Sequence, residues 1–156
     1  QMLSNEEVAA LFMPIIESKG VKTDLPTLTR IVALVKDRVS FIKDLWAQTA
    51  FFFVAPETYE EKSVKKRWKE DTPAIMEELI VLLQNLPDFA SAPSEKEVLG
   101  WIESKGYHLG NIMNATRLAL VGEGKGPHIF DITEALGKEE SIRRIQRAID
   151  KLSIDN

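Results

Sequence analysis

The sequence predicts an all-α protein built as two consecutive helical-bundle subdomains, and three observations carry that expectation. Apolar residues recur at three- and four-residue spacing along most of the chain, and residues that start and stop helices punctuate those runs. No segment combines two-residue alternation with turn chemistry, so no sheet is expected. At 156 residues, 44% hydrophobic and 28% charged, the chain can bury a core and lacks a disordered composition.

Ser4-Asn-Glu-Glu7 has the form of a capping box, in which serine accepts from the Glu7 amide and the glutamate reaches back. Val8, Leu11, Phe12, Ile15 and Ile16 follow at helical spacing, and Gly20 suits the exit. Pro14 inside this run predicts a kink or a restart. A second helix is expected from Pro26, with Leu28, Ile31, Val32 and Val35 on one face. A third carries Phe41, Ile42, Leu45 and Trp46 into Phe51-Phe52-Phe53-Val54. Burying that aromatic cluster would contribute roughly 1.5–3 kcal/mol per side chain.

Ala55-Pro56 is the clearest break, because a residue before proline is pushed out of helical geometry. The two subdomains are therefore expected to join near Pro56, with 1–60 as the first and 61–156 as the second. A stretch of mixed charge runs from Glu60 to Asp71, and Thr72-Pro73 opens an apolar helix through Ile75, Met76, Leu79, Leu82, Leu83 and Leu86. After a loop from Pro87 to Pro93, Ser94-Glu-Lys-Glu97 reads as a second capping box, and Gly106 closes its helix. A helix through Ile112, Met113 and Leu118 leads into the glycine loop Gly122-Glu-Gly-Lys-Gly-Pro127. A short helix near Phe130 to Leu136 and a last one with Ile142, Ile145, Ile149 and Leu152 complete the pattern.

Composition removes several function classes. Without cysteine there is no disulfide and no thiolate metal site, which fits a cytoplasmic setting, and two histidines do not make a histidine-rich metal centre. No apolar stretch is long enough to span a bilayer, so no membrane partner is expected. A net charge of −4 argues against duplex binding driven by phosphates, but it leaves room for a reader of unstacked bases. Gln1-Met2 followed at once by a helix start is expected of a piece of a longer protein.

Few residues offer chemistry. In the glycine loop, Gly124-Lys125 is followed by Gly126-Pro127, where a phosphate-binding Walker loop needs serine or threonine, and no strand precedes it. His108-Leu-Gly-Asn111 is similar to the nucleotide signature of class I aminoacyl-tRNA synthetases, but that signature works at a strand-to-helix junction. The carboxylate pairs Glu6-Glu7, Glu77-Glu78 and Glu139-Glu140 are expected on solvated faces, so no catalytic residue and no metal site are assigned. The three tryptophans fit core positions better than base-stacking ones. Arg143, Arg147 and Lys151 share a face of the last helix, with Arg144 beside them, and are read as a solvated face or as phosphate contacts. Arg38 and Arg117 each stand alone in an apolar helical stretch.

A family resemblance organises these residues. Arg117-Leu-Ala-Leu-Val-Gly122, then Gly126-Pro127, Leu136-Gly-Lys-Glu-Glu140 and Arg144-Ile-Gln-Arg-Ala148, resembles the C-terminal end of bacterial glutamyl-tRNA synthetases. Val35-Lys-Asp-Arg38 with Phe52-Phe53, and Lys105-Gly-Tyr-His-Leu109, resemble upstream segments of the same family. Asn114-Ala-Thr116 and Val121 depart from it, where the family carries a proline with an apolar residue and a threonine. The resemblance implies a helical anticodon-binding region that binds the anticodon loop of glutamate tRNA without catalysing. Its full-length parent would use ATP and Mg to join glutamate to that tRNA, while this region itself would need no cofactor and act as a monomer. Carried over by position, Arg38 falls on the reader of the third anticodon base and Arg117 on the reader of the first, with loop contacts at Gly126 and Ile129. Lys125, Arg143, Arg144 and Arg147 are the candidate phosphate contacts. The alternative is a helical protein–protein interaction module, favoured by the acidic charge balance and the mixed-charge stretch.

Overall fold

The computed structural model of the protein describes residues 3–152, apart from the side chain of Arg38. The described residues form helices and short turns and contain no strand. The chain divides into two compact units, Gln1–Val54 and Ala55–Asn156, so the division falls between Val54 and Ala55. Residues 55–60, expected in the first subdomain, thus belong with the second unit, to which the Glu60 amide is tied by a 2.8 Å bond to the Gly122 carbonyl.

In the first unit, α1 spans Asn5–Ser18 and α2 spans Leu25–Val35. The Ser4 capping box is present with both of its hydrogen bonds, Glu7 amide to Ser4 Oγ at 3.1 Å and Ser4 amide to Glu7 Oε1 at 2.8 Å. Asp24 caps α2 by accepting from the Thr27 amide at 2.7 Å, and Pro26 lies in the first turn where its missing donor costs nothing. Pro14 does not restart α1, which is continuous through it. Both Pro14 and Ala10, whose carbonyl loses its donor, are exposed, so water can satisfy that carbonyl.

The third helix starts later than its apolar pattern suggests. Two 3-10 turns, Lys36–Arg38 and Ile42–Asp44, precede α3, which spans Leu45–Phe53. Phe41 lies outside α3 in extended backbone and is 64% exposed. The aromatic run is also less enclosed than expected: Phe52 is buried, Phe51 and Phe53 are half-buried, and Val54 is exposed. A nine-residue helix turns three consecutive phenylalanines through most of a circle, so one face cannot bury them all. Phe12, Ile16, Leu28, Val32, Val35 and Leu45 form the interior of this unit.

The second unit contains α4 (Glu61–Arg67), α5 (Thr72–Gln84), α6 (Ser91–Lys105), α7 (Leu109–Val121), α8 (Ile129–Leu136) and α9 (Lys138–Leu152). α9 packs on α5 and α7, α6 on α8, and α4 on α7, around Met76, Leu79, Leu118, Leu120, Ile132 and Ile145. The second expected capping box is not one. α6 begins three residues before Ser94, which lies inside the helix with a fully buried hydroxyl. The Glu134 carboxylate of α8 performs the capping instead, accepting from the Ser91 amide at 2.7 Å, and Pro93 fits the first turn. Trp68 is buried and Trp101 is half-buried against Tyr107, with ring centroids 5.5 Å apart.

Candidate functional site

The glycine loop connects α7 to α8, and its shape follows from three glycines with distinct tasks. Gly122 ends α7 in left-handed backbone, φ 83°. A β-carbon there would lie 2.8 Å from Pro56 Cβ and 2.9 Å from the Thr58 carbonyl, so only glycine lets the loop dock against residues 56–60. Gly124 lies against Ser63 at the start of α4, 3.2 Å from where its own β-carbon would be. At Gly126, with φ 155°, an added β-carbon would lie 2.9 Å from Nη1 of Arg117.

That close approach defines the site. Arg117 occupies the third turn of α7, half-buried, and its Nη1 donates to the Pro127 carbonyl at 2.7 Å. The guanidinium therefore crosses the bare face of Gly126 and is held at the end of the loop. Ile129 follows as the first residue of α8, with its side chain buried at 6% exposure. What Ile129 can present to a ligand is its backbone amide, one of the first-turn donors that a helix leaves unpaired internally. Arg117, Gly126 and Ile129, separated by up to twelve positions in sequence, thus lie along one short stretch of surface backbone. Lys125 is exposed on the same loop.

Residues 4–149 match the family model of the anticodon binding domain. The chain belongs to that family. Among individual proteins, it is 60% identical over 149 residues to a glutamate–tRNA ligase of Phocaeicola vulgatus and 59% identical over 149 residues to one of Parabacteroides distasonis. Each alignment takes in 96% of this chain and 30% of the relative, so the chain spans about 30% of the length of these proteins. The crystal structure of a glutamate tRNA ligase from Elizabethkingia meningosepticum in complex with its amino acid superposes with a TM-score of 0.92 at 37% identity, over 96% of this chain and 30% of that one. The all-α architecture is thus the one this anticodon-binding family uses.

Within this anticodon-binding domain the remaining basic candidates separate. Arg38 closes the 3-10 turn after α2, in the first unit, and its side chain lies outside the described residues. Arg143 is exposed on α9 and pairs with Glu140. Arg147 is half-buried, and its charge faces Tyr59. Arg144 must be withdrawn from the phosphate contacts, because its side chain is only 2% exposed. Its Nε donates to Glu140 at 2.8 Å and its Nη1 to the Leu120 carbonyl at 2.9 Å. Leu120 lies in the last turn of α7, where carbonyls lack intrahelical donors, so Arg144 caps α7 from α9. Burial holds its pKa below the ordinary value, opposed by the hydrogen bond and charge of Glu140 and by Tyr59. An i to i+4 pattern of arginines cannot reveal this role, since the partner carbonyl comes from another helix.

Sequence reasoning also missed three polar roles. His108 is the N-cap of α7: its Nδ1 accepts from the Asn111 amide at 3.1 Å, which explains His108-Leu-Gly-Asn111 without any nucleotide. Of the carboxylate pairs expected on solvated faces, Glu78 accepts from the Tyr107 hydroxyl at 2.8 Å and Glu140 joins α9 to the Arg144 cap. The His108 role was legible in its place just before a helical run, whereas both carboxylate contacts depend on how the helices pack.

Proposed function

We propose that the chain is the anticodon-reading part of a glutamate–tRNA ligase and binds the anticodon loop of glutamate tRNA. Arg117 contacts the first anticodon base, aided by backbone groups from Gly126 to Ile129, and Arg38 contacts the third. The observation that carries this reading is the Arg117 guanidinium lying over Gly126 with one nitrogen bonded to the Pro127 carbonyl. A guanidinium fixed by one end has a defined direction, and its donors are chemically matched to the O2 and N3 acceptors of an unstacked cytosine. Guanine offers an N1 donor in the same place, so an arginine discriminates cytosine from guanine by leaving two donors opposed.

Glutamate activation with ATP and Mg belongs, in this reading, to parts of the ligase outside this chain. The chain acts in the cytoplasm as a monomer, without a cofactor of its own. Its remaining phosphate contacts are Lys125, Arg143 and Arg147.

A filter-binding titration with glutamate tRNA and an anticodon-swapped control tests the proposal. Tighter binding of the cognate RNA, with the preference reduced about tenfold or more in Arg117→Gln, is the expected result. Equal binding of both RNAs, or of neither, would refute it and favour a protein-interaction module. In the full-length ligase, Arg38→Gln is expected to raise charging of glutamine tRNA relative to glutamate tRNA. Unchanged selectivity would remove Arg38 from the assignment.

A further inference from the structure

Directly beside the glycine loop, α4 presents charge that the base-reading site does not use. A groove of about 440 Å³ runs between α4 and the loop, lined by the cations Lys62, Lys66, Arg67 and Lys125 with the carboxylates Glu60 and Glu123. Among the described residues none of these four cations is in a salt bridge, whereas Lys65 on the outer face of α4 pairs with Glu61 at 3.3 Å. Glu60 is already engaged, since its carboxylate accepts from the Ser63 hydroxyl. The groove thus concentrates positive charge on a chain whose net charge is −4.

We infer that this groove holds the phosphodiester backbone of the same RNA whose base is read at Arg117, through Lys62, Lys66 and Arg67 of α4 together with Lys125. The inference rests on the proposed anticodon reading and extends it. The lining contains no aromatic and no aliphatic residue, so a nucleobase or free nucleotide finds no ring to stack on, while a row of phosphates meets four cations against two carboxylates, together with Ser63 and Gly124. Continuity favours RNA as well. Lys125 precedes Gly126, the residue crossed by the Arg117 guanidinium, so a strand seated at Arg117 passes its backbone into the groove. Four localised cations reconcile an acidic chain with nucleic-acid binding, because attraction to phosphate falls off within about 8–10 Å at physiological salt.

The test compares the wild-type chain with a Lys62→Gln, Lys66→Gln, Arg67→Gln triple variant, titrating cognate and anticodon-swapped tRNA over a series of salt concentrations. A second triple variant, Lys22→Gln, Lys96→Gln, Lys105→Gln, changes net charge equally at residues that do not line the groove. The groove variant is expected to bind both RNAs about tenfold or more weakly, by the same factor, and to lower the slope of log K against log salt by about 2. The control triple should keep the wild-type slope, and an excess of inorganic pyrophosphate or ATP should not protect the groove lysines from acetylation as RNA does. An unchanged slope in the groove variant, or an equal loss in the control triple, would overturn the inference. With anticodon preference intact in the wild type, such a result leaves the base-reading proposal standing; loss of that preference alone removes the base-reading proposal and spares the groove.

Discussion

The two units of this molecule solve the problem of holding short helices together in different ways. The first, Gln1–Val54, relies on apolar packing of α1 against α2 and on caps local in sequence. Its one buried polar side chain among the described residues is Thr49, whose hydroxyl bonds back to Leu45 in its own helix at 2.7 Å. The second, Ala55–Asn156, carries buried polar groups that connect different helices, among them Arg144 between α9 and α7. The contrast teaches where a precisely shaped loop comes from. Apolar contacts are non-directional and set only proximity, whereas hydrogen bonds from Arg144 before the loop and Arg117 after it fix both of its ends.

The largest expected effect tests the apolar side. Phe12 is fully buried in the first unit, so Phe12→Ala should cost about 3–5 kcal/mol in urea unfolding followed by far-UV circular dichroism. A loss below about 1 kcal/mol would mean that this unit is held by something other than its core. On the polar side, Arg144→Met keeps most of the volume but leaves the Leu120 carbonyl without its donor and Glu140 with Arg143 alone. A loss of about 2–3 kcal/mol is expected by the same measurement, tempered because Glu140 retains 27% exposure. Stability equal to the parent would show that packing alone fixes the end of α7.

A smaller effect is expected within the loop. Gly126→Ala strains a positive-φ backbone and displaces the Arg117 guanidinium, for about 1–2 kcal/mol and a weakened preference for cognate RNA. Gly100, inside α6 with open space around it, should behave oppositely, Gly100→Ala gaining about 0.5–1 kcal/mol. Matching signs at the two glycines would break the argument that loop geometry requires the first.

A comparably small effect concerns the α1 cap. Ser4→Ala should cost about 1 kcal/mol. Backbone and then side-chain hydrogen bonding with Ser4 holds the Glu7 pKa below its ordinary 4.5. The folded form therefore favours the ionised carboxylate, a contribution complete above that ordinary value and lost as pH falls through the lowered one. Removing Ser4 should flatten the acid limb of the stability profile, and an unaltered limb would show that the box contributes nothing.

Most of the fold was legible because it is periodic. The expected α2, α5, α7 and α9 all exist. The misreadings share one cause. Ser94 fits a capping box by spacing, but α6 is capped by Glu134, 43 positions away, so the helix begins earlier than any local signal says. Phe41 matches the period of α3 yet stays outside it, because the 3-10 turn Ile42–Asp44 intervenes. The candidate site was partly legible: Arg117 and Gly126 were marked through a family pattern, while their mutual contact was not. Arg144 was misassigned because charge on a helix face looks alike whether the face meets solvent or a neighbouring carbonyl.

The amino-acid order by itself determined the helical periods, the caps at Ser4 and Asp24 and the glycine exits at Gly106 and Gly122, since each depends on residues within a few positions of one another. Only the tertiary structure decided which arginine is buried and which stays at the surface. It also decided what the loop's glycines lie against, namely Pro56, Ser63 and Arg117. Those outcomes turn on desolvation and on donors meeting acceptors from distant segments, and a one-dimensional pattern carries neither.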